Sequence, residues 1–182
     1  MITTLYGQVA KEVYSNAKQI KLLVCDVDGV FSDGRIYLGN DGEELKAFHT
    51  KDGFGIKALI KSGVQVAVIT GRNSNIVQTR MSALTVNHIV QGTEDKLPAL
   101  KELVDRLGLT MDKVAFIGDD IPDKACIDVV GLGVAVQDAH PAVVLAADYQ
   151  TYTPGGFGAV RELCDLLMAS QGTLEGAKGA SI

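Results

Sequence analysis

Short apolar runs alternate along the chain with segments whose apolar residues recur at helical spacing. The runs are rich in β-branched residues and lack polar alternation, which is typical of strands that are buried on both faces. They lie at residues 21–26, 64–70, 88–90, 113–118 and 133–136. A sheet built from such strands is expected to be largely parallel and covered by helices on both sides.

Two apolar stripes predict helices in the intervening segments. The first stripe stops before Gly108, a residue suited to ending a helix. Its members are Leu97, Leu100, Val104 and Leu107, and those of the second stripe are Phe157, Val160, Leu163, Leu166 and Leu167. The alternation predicts right-handed βαβ units and therefore an α/β fold with a doubly wound, mostly parallel sheet.

One segment, residues 31–49, departs from this alternation after the first strand of the predicted sheet. Residues 35–38 and 44–48 flank the turn sequence Gly39-Asn-Asp-Gly42, which predicts a β-hairpin insertion. The last residues, 171–182, are polar and contain glycines, so they are expected to form a flexible tail. The whole chain, 1–182, is expected to be a single domain.

The composition argues against several classes of protein. The formal net charge is −5, and nucleic-acid binding, which depends on Lys and Arg, is therefore not expected. No apolar run approaches the roughly 18 residues that a membrane span needs, so no membrane partner is expected. Cys25, Cys126 and Cys164 have no CxxC spacing, and the first residues lack a secretion signal. These features predict a cytoplasmic protein.

Chemically capable side chains follow several of the predicted strands. They are Asp26 and Asp28 after the first strand, Thr70 and Arg72 at the end of the second, Lys96 after the strand 88–90, and Asp119, Asp120 and Asp123 after a later strand. Ligands of open α/β sheets bind at the carboxyl ends of the strands, where these groups are expected to meet. Carboxylates gathered at one edge repel one another unless a cation joins them, and their hard oxygen atoms favour Mg²⁺.

Two other kinds of site are excluded by spacing. An EF-hand loop that started at Asp26 would need glycine and glutamate at the positions of Phe31 and Tyr37. Residues 53–58 match the pattern G-x-G-x-x-A, but the acid expected about twenty residues later is missing. Neither calcium binding of that kind nor dinucleotide binding is therefore expected.

The order of the motifs closely resembles that of the haloacid dehalogenase superfamily of phosphotransferases, which have a Rossmann-like fold. The resemblance implies that Asp26, the first Asp of D-x-D-G, is a nucleophile that forms an aspartyl-phosphate. It implies that Asp28 is the acid–base group, and that Thr70 and Lys96 hold the transferring phosphoryl oxygens. Two displacements on one carboxylate need this combination of nucleophile, acid–base group and positive charge.

The same resemblance implies the metal site. Asp119 would bind Mg²⁺ together with Asp26 and Asp28, while Asp120 and Asp123 would support it. Members of the superfamily usually carry a cap domain over the site, but the interval from position 33 to position 64 has room only for the hairpin and one helix. The chain is therefore expected to have no cap domain.

Among capless members, the chain is similar nearly end to end to the phosphatases of 3-deoxy-D-manno-octulosonate 8-phosphate. The similarity rests on residues 6–7, 26–30, 42–48, 51–56, 69–72, 118–120, 135–141, 158–167 and 177–182. It implies Mg²⁺-dependent hydrolysis of that small anionic sugar phosphate in lipopolysaccharide biosynthesis. It also implies a homo-oligomer, a tetramer, whose active sites are completed by neighbouring chains.

The substrate contacts that this family resemblance implies lie in two parts of the chain. They are Asp28, His49, Thr50, Lys51, Asp52, Gly53, Lys57, Arg72, Arg80 and Lys96. Two positions depart from the family pattern: Lys51 stands where arginine is expected, and Phe157 where a basic residue is expected. Lysine provides a point charge without the bidentate fork of arginine.

Two alternative functions stay open at this point. The first is the same chemistry on another acid sugar phosphate, such as a sialic-acid-type 9-phosphate. The second is a phospho-accepting signalling domain, which also uses acidic residues, threonine and lysine on a parallel sheet. That class places its acceptor Asp on a later strand than the acidic pair and ahead of its threonine and lysine, whereas Thr70 and Lys96 precede Asp119 here.

Overall fold

From Thr50 onwards helices and strands alternate along the structure, a computed structural model that describes residues 1–179. In chain order the elements are β1 (Ile2–Thr3), β2 (Gln8–Val9), α1 (Lys11–Ala17), β3 (Leu22–Cys25), β4 (Tyr37–Leu38), β5 (Glu44–Leu45), α2 (Thr50–Lys61), β6 (Gln65–Ile69), α3 (Asn75–Ala83), β7 (His88–Val90), α4 (Lys96–Arg106), β8 (Val114–Gly118), α5 (Ile121–Ile127), β9 (Leu132–Ala135), α6 (Pro141–Ala146), β10 (Tyr149–Gln150) and α7 (Ala159–Ser170). The five predicted strands of the sheet are all present, and each observed end lies within one residue of the predicted one.

The central sheet has six strands in the order β10-β9-β8-β3-β6-β7, and every neighbouring pair is parallel. This confirms the predicted α/β fold with a doubly wound sheet. The chain passes from the central strand β3 to β6 and β7 on one side, and then crosses to β8, β9 and β10 on the other. This reversal leaves a crevice between the carboxyl ends of β3 and β8, which is where such sheets bind ligands.

The strand β3 is buried on both faces, as its unbroken hydrophobicity predicted. Leu23 and Cys25 belong to an apolar cluster that includes residues of α2 and α7, whereas Leu22 and Val24 belong to a second cluster that includes residues of α4 and α5. All four side chains are fully buried. Their alternation to opposite faces follows from the two-residue period of a strand.

The helices α2 and α7 lie close together because a glycine stands between them. A Cβ atom at Gly55 would lie 3.2 Å from Cα of Arg161 and 3.2 Å from Cβ of Cys164, so a larger side chain would push the helices apart. Asp52, in the first turn of α2, adds a polar link, since its Oδ1 accepts a hydrogen bond of 2.8 Å from the backbone N–H of Arg161. Asp52 therefore caps the first turn of α7 from another helix.

The second apolar stripe enters its helix later than predicted. Its first member, Phe157, lies in the loop before α7 and is 54% exposed. Gly156 and Gly158 on either side have φ angles of 77° and 115°, outside the right-handed helical region. The helix therefore begins at Ala159, and Phe157 has no place on its buried face.

The hairpin of β4 and β5 projects from the domain at the predicted place. Its strands pair over only two residues each, and the turn closes through a 2.7 Å bond from the N–H of Gly39 to the carbonyl of Glu43. Its apolar side chains are largely exposed: Ile36 50%, Tyr37 44%, Leu38 70% and Leu45 56%. Phe48, at its end, is partly buried against the core.

Both ends of the described chain lie against the domain. A short antiparallel pair, β1 with β2, precedes the first helix and was not predicted. In the expected tail, Leu174 and Ala177 are partly buried against the core, while residues 180–182 lie outside the described residues. The flexibility of the tail stays a prediction. Among residues 1–179, none of the helices has the length and hydropathy required to cross a lipid bilayer.

We expect Asp52→Asn to reduce the dependence of fold stability on pH. Burial raises the pKa of Asp52 to about 7, although the Arg161 N–H and the charges of Arg80, Arg161 and Lys51 oppose this shift. The folded protein therefore binds this proton more tightly than the unfolded chain does. The corresponding stabilisation is complete below about pH 4 and is lost as the pH rises towards 7. An asparagine cannot ionise, so the variant should escape this loss.

The measurement is urea unfolding at pH 5 and pH 8. Between pH 5 and pH 8, the free energy of unfolding should decrease by on the order of 2 kcal/mol less in the variant than in the wild type. The control is Asp105→Asn, on the exposed side of α4, where water already solvates the carboxylate. Identical pH slopes for wild type and Asp52→Asn would contradict the expectation.

Candidate active site

Two acidic residues meet because the strands that precede them are neighbours in the sheet. Asp26 directly follows β3, and its N–H donates a 3.0 Å bond to the carbonyl of Ile117 in β8. Asp119 directly follows β8. Ligand oxygens of Asp26, Asp119 and Asp123 all lie within 4.8 Å of one another. The predicted convergence at the carboxyl edge of the sheet is thus present.

The turn after β3 passes directly over the Asp119 carboxylate. Gly29 has a φ angle of 90°, and a Cβ atom at this position would overlap the oxygens of Asp119. Both the backbone conformation and the close approach therefore require glycine. The glycine of the D-x-D-G motif therefore allows the turn after β3 to lie against the carboxylate that follows β8.

Lys96 is the cation that joins the buried acids. It is the first residue of α4 and only 4% exposed. Its Nζ lies 2.7 Å from Oδ1 of Asp26 and 2.6 Å from Oδ1 of Asp123. A buried ammonium is stable only when it is paired in this way.

Asp123 uses both of its oxygens within the protein. Oδ1 accepts from Lys96, and Oδ2 accepts from the backbone N–H groups of Asp119 and Asp120 at 3.0 Å and 3.3 Å. Asp120 in turn caps α5, accepting from the N–H of Ile121 at 2.8 Å. Both side chains therefore stabilise the loop after β8, and their support of a metal site stays a prediction.

The electrostatics of the acids show how tightly they are crowded. Burial and then the charge of Asp123 raise the pKa of Asp26 to about 6, against the opposing effect of Lys96. Burial and then the charges of Asp26, Asp123 and Asp120 raise the pKa of Asp119 to about 8. For Lys96, burial lowers the pKa, but the charges of Asp26 and Asp123 raise it more. One ammonium does not offset this concentration of negative charge.

The donor set fits a hard divalent cation. Asp123 already uses both of its oxygens within the protein. The carboxylate oxygens of the cluster that a metal ion could bind are therefore those of Asp26 and Asp119, and Mg²⁺ prefers such oxygens. A cation here would relieve the repulsion that raises both pKa values. The third predicted metal ligand, Asp28, directs its carboxylate elsewhere: its Oδ1 is paired with Lys46. The part of Asp28 in metal binding stays a prediction.

An open cleft of about 270 Å³ lies above these residues. The predicted catalytic, metal and supporting residues all line it, together with Arg72 from the predicted substrate contacts. Its lining is Asp26, Asp28, Gly34, Thr70, Gly71, Arg72, Glu94, Lys96, Asp119, Asp120, Pro122 and Asp123. Thr70 is only 2% exposed at the end of β6, and its N–H donates to the carbonyl of Val90 at 3.0 Å.

The remaining predicted substrate contacts lie outside this cleft within the single chain. They are His49, Thr50, Lys51, Asp52, Gly53, Lys57 and Arg80. His49 caps α2 and accepts a 3.1 Å bond from the N–H of Lys51, while Asp52 is turned towards α7. The guanidinium of Arg80 lies 6.0 Å from the centre of the Phe48 ring. Their contact with substrate stays a prediction.

The sequence analysis missed two charged residues of the hairpin that reach the site. Glu44 and Lys46 both point towards the cleft, where Glu44 binds Arg72 and Lys46 binds Asp28. The one sequence feature that could have indicated them is their two-residue spacing. In extended backbone at β5 this spacing puts Glu44 and Lys46 on one face and the exposed Leu45 on the other. A charged face on a hairpin is usually solvated, and spacing alone could not reveal that this one covers the site.

Magnesium should stabilise the fold through Asp119. We expect the melting temperature of the wild type to rise by roughly 5–10 °C at magnesium concentrations about 100 times Kd. Asp119→Asn should lose most of this rise, and its metal-free form should melt above the metal-free wild type because one repelling charge is gone. Differential scanning calorimetry with EDTA or with MgCl₂ measures both effects, and Asp105→Asn should retain the full rise. Equal rises in wild type and Asp119→Asn would place the metal elsewhere.

The geometry agrees with what similarity to known proteins indicates. A family profile described as haloacid dehalogenase-like hydrolase matches residues 73–160. The 3-deoxy-D-manno-octulosonate 8-phosphate phosphatase KdsC of Escherichia coli K12 is 49% identical over 181 residues, covering 100% of this chain and 96% of the relative. The crystal structure of the phosphatase of that name from Yersinia pestis is 52% identical, with a TM-score of 0.97 over 100% of this chain and 98% of the other. The Moraxella catarrhalis phosphatase, solved in complex with magnesium, phosphate and KDO, is 43% identical, with a TM-score of 0.89 over 91% of this chain and 95% of the other. The chain belongs to the haloacid dehalogenase superfamily and, within it, to the family of the 3-deoxy-D-manno-octulosonate 8-phosphate phosphatases.

Proposed function

We propose that this protein is a magnesium-dependent phosphomonoesterase that hydrolyses 3-deoxy-D-manno-octulosonate 8-phosphate to the free sugar acid and phosphate, in lipopolysaccharide biosynthesis. The observation that carries the proposal is the buried group of Asp26, Lys96 and Asp119 at the reversal of the sheet. It combines a nucleophilic carboxylate, a fixed cation and a second metal-binding carboxylate in one open cleft. Relatives of 49% and 52% identity bear the name of this activity.

In the first displacement, Asp26 acts as the nucleophile. One of its carboxylate oxygens attacks phosphorus, the bond from phosphorus to the sugar oxygen breaks, and Asp28 gives a proton to that leaving oxygen. Lys96, 2.7 Å from Asp26, is placed to neutralise the phosphoryl oxygens, and Thr70 donates its hydroxyl to them. The products are an aspartyl-phosphate and the free sugar acid.

In the second displacement, Asp28 takes a proton from water, and the resulting hydroxide attacks phosphorus. The acyl–phosphate bond breaks, phosphate leaves and the Asp26 carboxylate is restored, while Asp28 regains the proton that it gave up. Asp26 and Asp119, with Asp28, would hold Mg²⁺, which would supply positive charge to offset the repulsion between phosphate and nucleophile. Each cycle consumes one water molecule and leaves the protein unchanged.

The enzyme is further proposed to act as a homotetramer whose active sites are completed by neighbouring chains. Two observations support this. The hairpin exposes four apolar side chains, from 44% for Tyr37 to 70% for Leu38, and exposed apolar residues concentrated on one small element commonly mark an interface. Seven predicted substrate contacts, among them Lys51 and Arg80, lie outside the cleft of their own chain. A neighbouring chain seated on the hairpin would cover an otherwise open site and exclude water from it.

A cytoplasmic location is part of the same proposal. Cys25, Cys126 and Cys164 are all free and buried. Thiols of this kind persist in a reducing compartment.

Asp26→Asn should abolish hydrolysis while the fold is retained. The amide preserves the shape but removes the nucleophile, so we expect a fall in kcat of at least about 10⁴-fold. The assay measures phosphate release, with and without MgCl₂, from a panel of sugar phosphates, and circular dichroism checks the fold. Among the panel, 3-deoxy-D-manno-octulosonate 8-phosphate should give the highest kcat/KM.

Other outcomes of this assay point to other functions. A preference for a 9-phosphorylated sialic-acid-type sugar would replace the proposed substrate but keep the chemistry. A lasting phosphoprotein without turnover would favour a signalling domain. Substantial activity in the folded Asp26→Asn protein would exclude the covalent mechanism.

Leu45→Asp should dissociate the assembly, because Leu45 pairs with Tyr37 on the apolar face of the hairpin and the substitution puts a charge there. Light scattering on the wild type should give about four times the 19.3 kDa of one chain, and a lower mass for the variant. Leu145→Asp is the matched control, since Leu145 is 88% exposed on α6, away from the hairpin. An active wild-type monomer would defeat the shared-site proposal and leave the phosphatase assignment intact.

A further inference from the structure

A line of four alternating charges crosses the mouth of the cleft. Its members are Arg72, Glu44, Lys46 and Asp28. Oε2 of Glu44 binds the Arg72 guanidinium, Oε1 of Glu44 lies 3.3 Å from Nζ of Lys46, and Lys46 donates to Oδ1 of Asp28. The two middle residues come from the hairpin, whereas the two outer ones follow strands of the central sheet.

Lys46 is buried in a way that a surface lysine is not. Its side chain is 1% exposed, against 25% for Asp28 and 24% for Glu44. Desolvating an ammonium is costly unless it is paired, and a lysine on a projecting hairpin has free access to water in other rotamers. The ion pairs with Asp28 and Glu44 therefore select this buried position, and they fix Asp28 in return.

The geometry distinguishes Lys46 from Lys96. Lys96 reaches the nucleophile Asp26 and the cleft wall, so it is the cation that meets the phosphoryl group. Lys46 is absent from the cleft lining given above, and its ammonium contacts Asp28 and Glu44. Its position suits a residue that acts on substrate through another side chain.

We propose that Lys46 is a positioning residue for Asp28. It holds Oδ1 of Asp28, so that the second oxygen, Oδ2, faces the reacting group in both displacements. Glu44 anchors Lys46 and links it to Arg72. This inference rests on the proposed function, because it assigns a role within the same two-step hydrolysis.

The role predicts a dependence on the leaving group. An alkyl phosphate, such as a sugar phosphate, needs a proton on its leaving oxygen in the first displacement, whereas 4-nitrophenyl phosphate releases 4-nitrophenolate, a stable anion that leaves without a proton. The second displacement needs Asp28 as a base with either substrate. Misplacing Asp28 should therefore slow both steps for the sugar phosphate, but only the second step for the aryl phosphate.

The test compares Lys46→Met and Lys46→Arg with the wild type on these two substrates. For Lys46→Met we expect kcat on the sugar phosphate to fall by about 10- to 100-fold, a part of the factor that general acid–base catalysis contributes. With 4-nitrophenyl phosphate, rapid-quench kinetics should show a first burst at nearly the wild-type rate and then slow turnover. Intact-protein mass spectrometry of quenched samples should detect the accumulated phosphoenzyme. Lys46→Arg, which retains a charged donor, should restore part of the rate.

A matched control is available at the opposite edge of the sheet. Lys113 immediately precedes β8 and forms an ion pair of 2.9 Å with Asp112. Lys113→Met therefore also removes a lysine that is paired with an aspartate. This control should retain wild-type kinetics on both substrates. If Lys46→Met fails to fold, Glu44→Gln is the second variant. It keeps the Lys46 ammonium but weakens its ion pair with residue 44. It should show the same difference between the two substrates, with a smaller fall in kcat.

Two results would overturn the positioning role alone. One is an equal loss of kcat on both substrates without accumulated phosphoenzyme, which a purely structural role would give. The other is a raised KM for the sugar phosphate at unchanged kcat, which would make Lys46 a substrate-binding residue. A wild-type protein that hydrolyses neither substrate would overturn the proposed function itself, and the positioning role with it.

Discussion

The site depends above all on the burial of one ammonium among several carboxylates. Lys96 lies within hydrogen-bonding distance of both Asp26 and Asp123 at the point where the sheet reverses. Without it, two buried acids would be left uncompensated, a loss that typically costs about 3–5 kcal/mol for a buried pair. Because Lys96 is the first residue of α4, the same contact fixes the start of that helix against the ends of β3 and β8. The ion pairs of Lys96 therefore stabilise the fold and, in the proposed function, also place the cation that meets the phosphoryl group.

The acids of the site differ in how many of their carboxylate oxygens already have partners within the protein. Both oxygens of Asp123 accept hydrogen bonds, one from Lys96 and the other from two backbone N–H groups, so Asp123 stabilises the loop after β8. Asp119 packs against Gly29 and keeps a pKa raised to about 8 by burial and its acidic neighbours. That unrelieved repulsion marks the place that a divalent cation would neutralise. The raised pKa and the metal site thus have one cause, the concentration of negative charge in a buried place.

The hairpin performs two tasks with a strand of only two residues. The exposed Leu45 faces away from the domain, while Glu44 and Lys46 on either side of it turn to the cleft. A strand alternates its side chains between two faces, so assembly and chemistry can be served by adjacent positions. Its charged face reaches Asp28 and Arg72 within the chain, and its apolar residues Tyr37 and Leu45 are exposed.

The sequence by itself determined five of the six strands of the sheet, their ends within one residue, and the edge at which the acids meet, because buried parallel strands read as unbroken apolar runs and carry their ligands at their carboxyl ends. The roles of nucleophile and metal ligand came from the family resemblance of the motifs and stay predictions. Only the tertiary structure decided that Lys46 binds Asp28 and that Asp52 turns to α7 rather than to the cleft. It also decided that Phe157 stays outside its helix, where two glycines interrupt the helical backbone. These outcomes depend on contacts between segments far apart in the chain, and local periodicity carries no information about which distant partner a polar side chain will find.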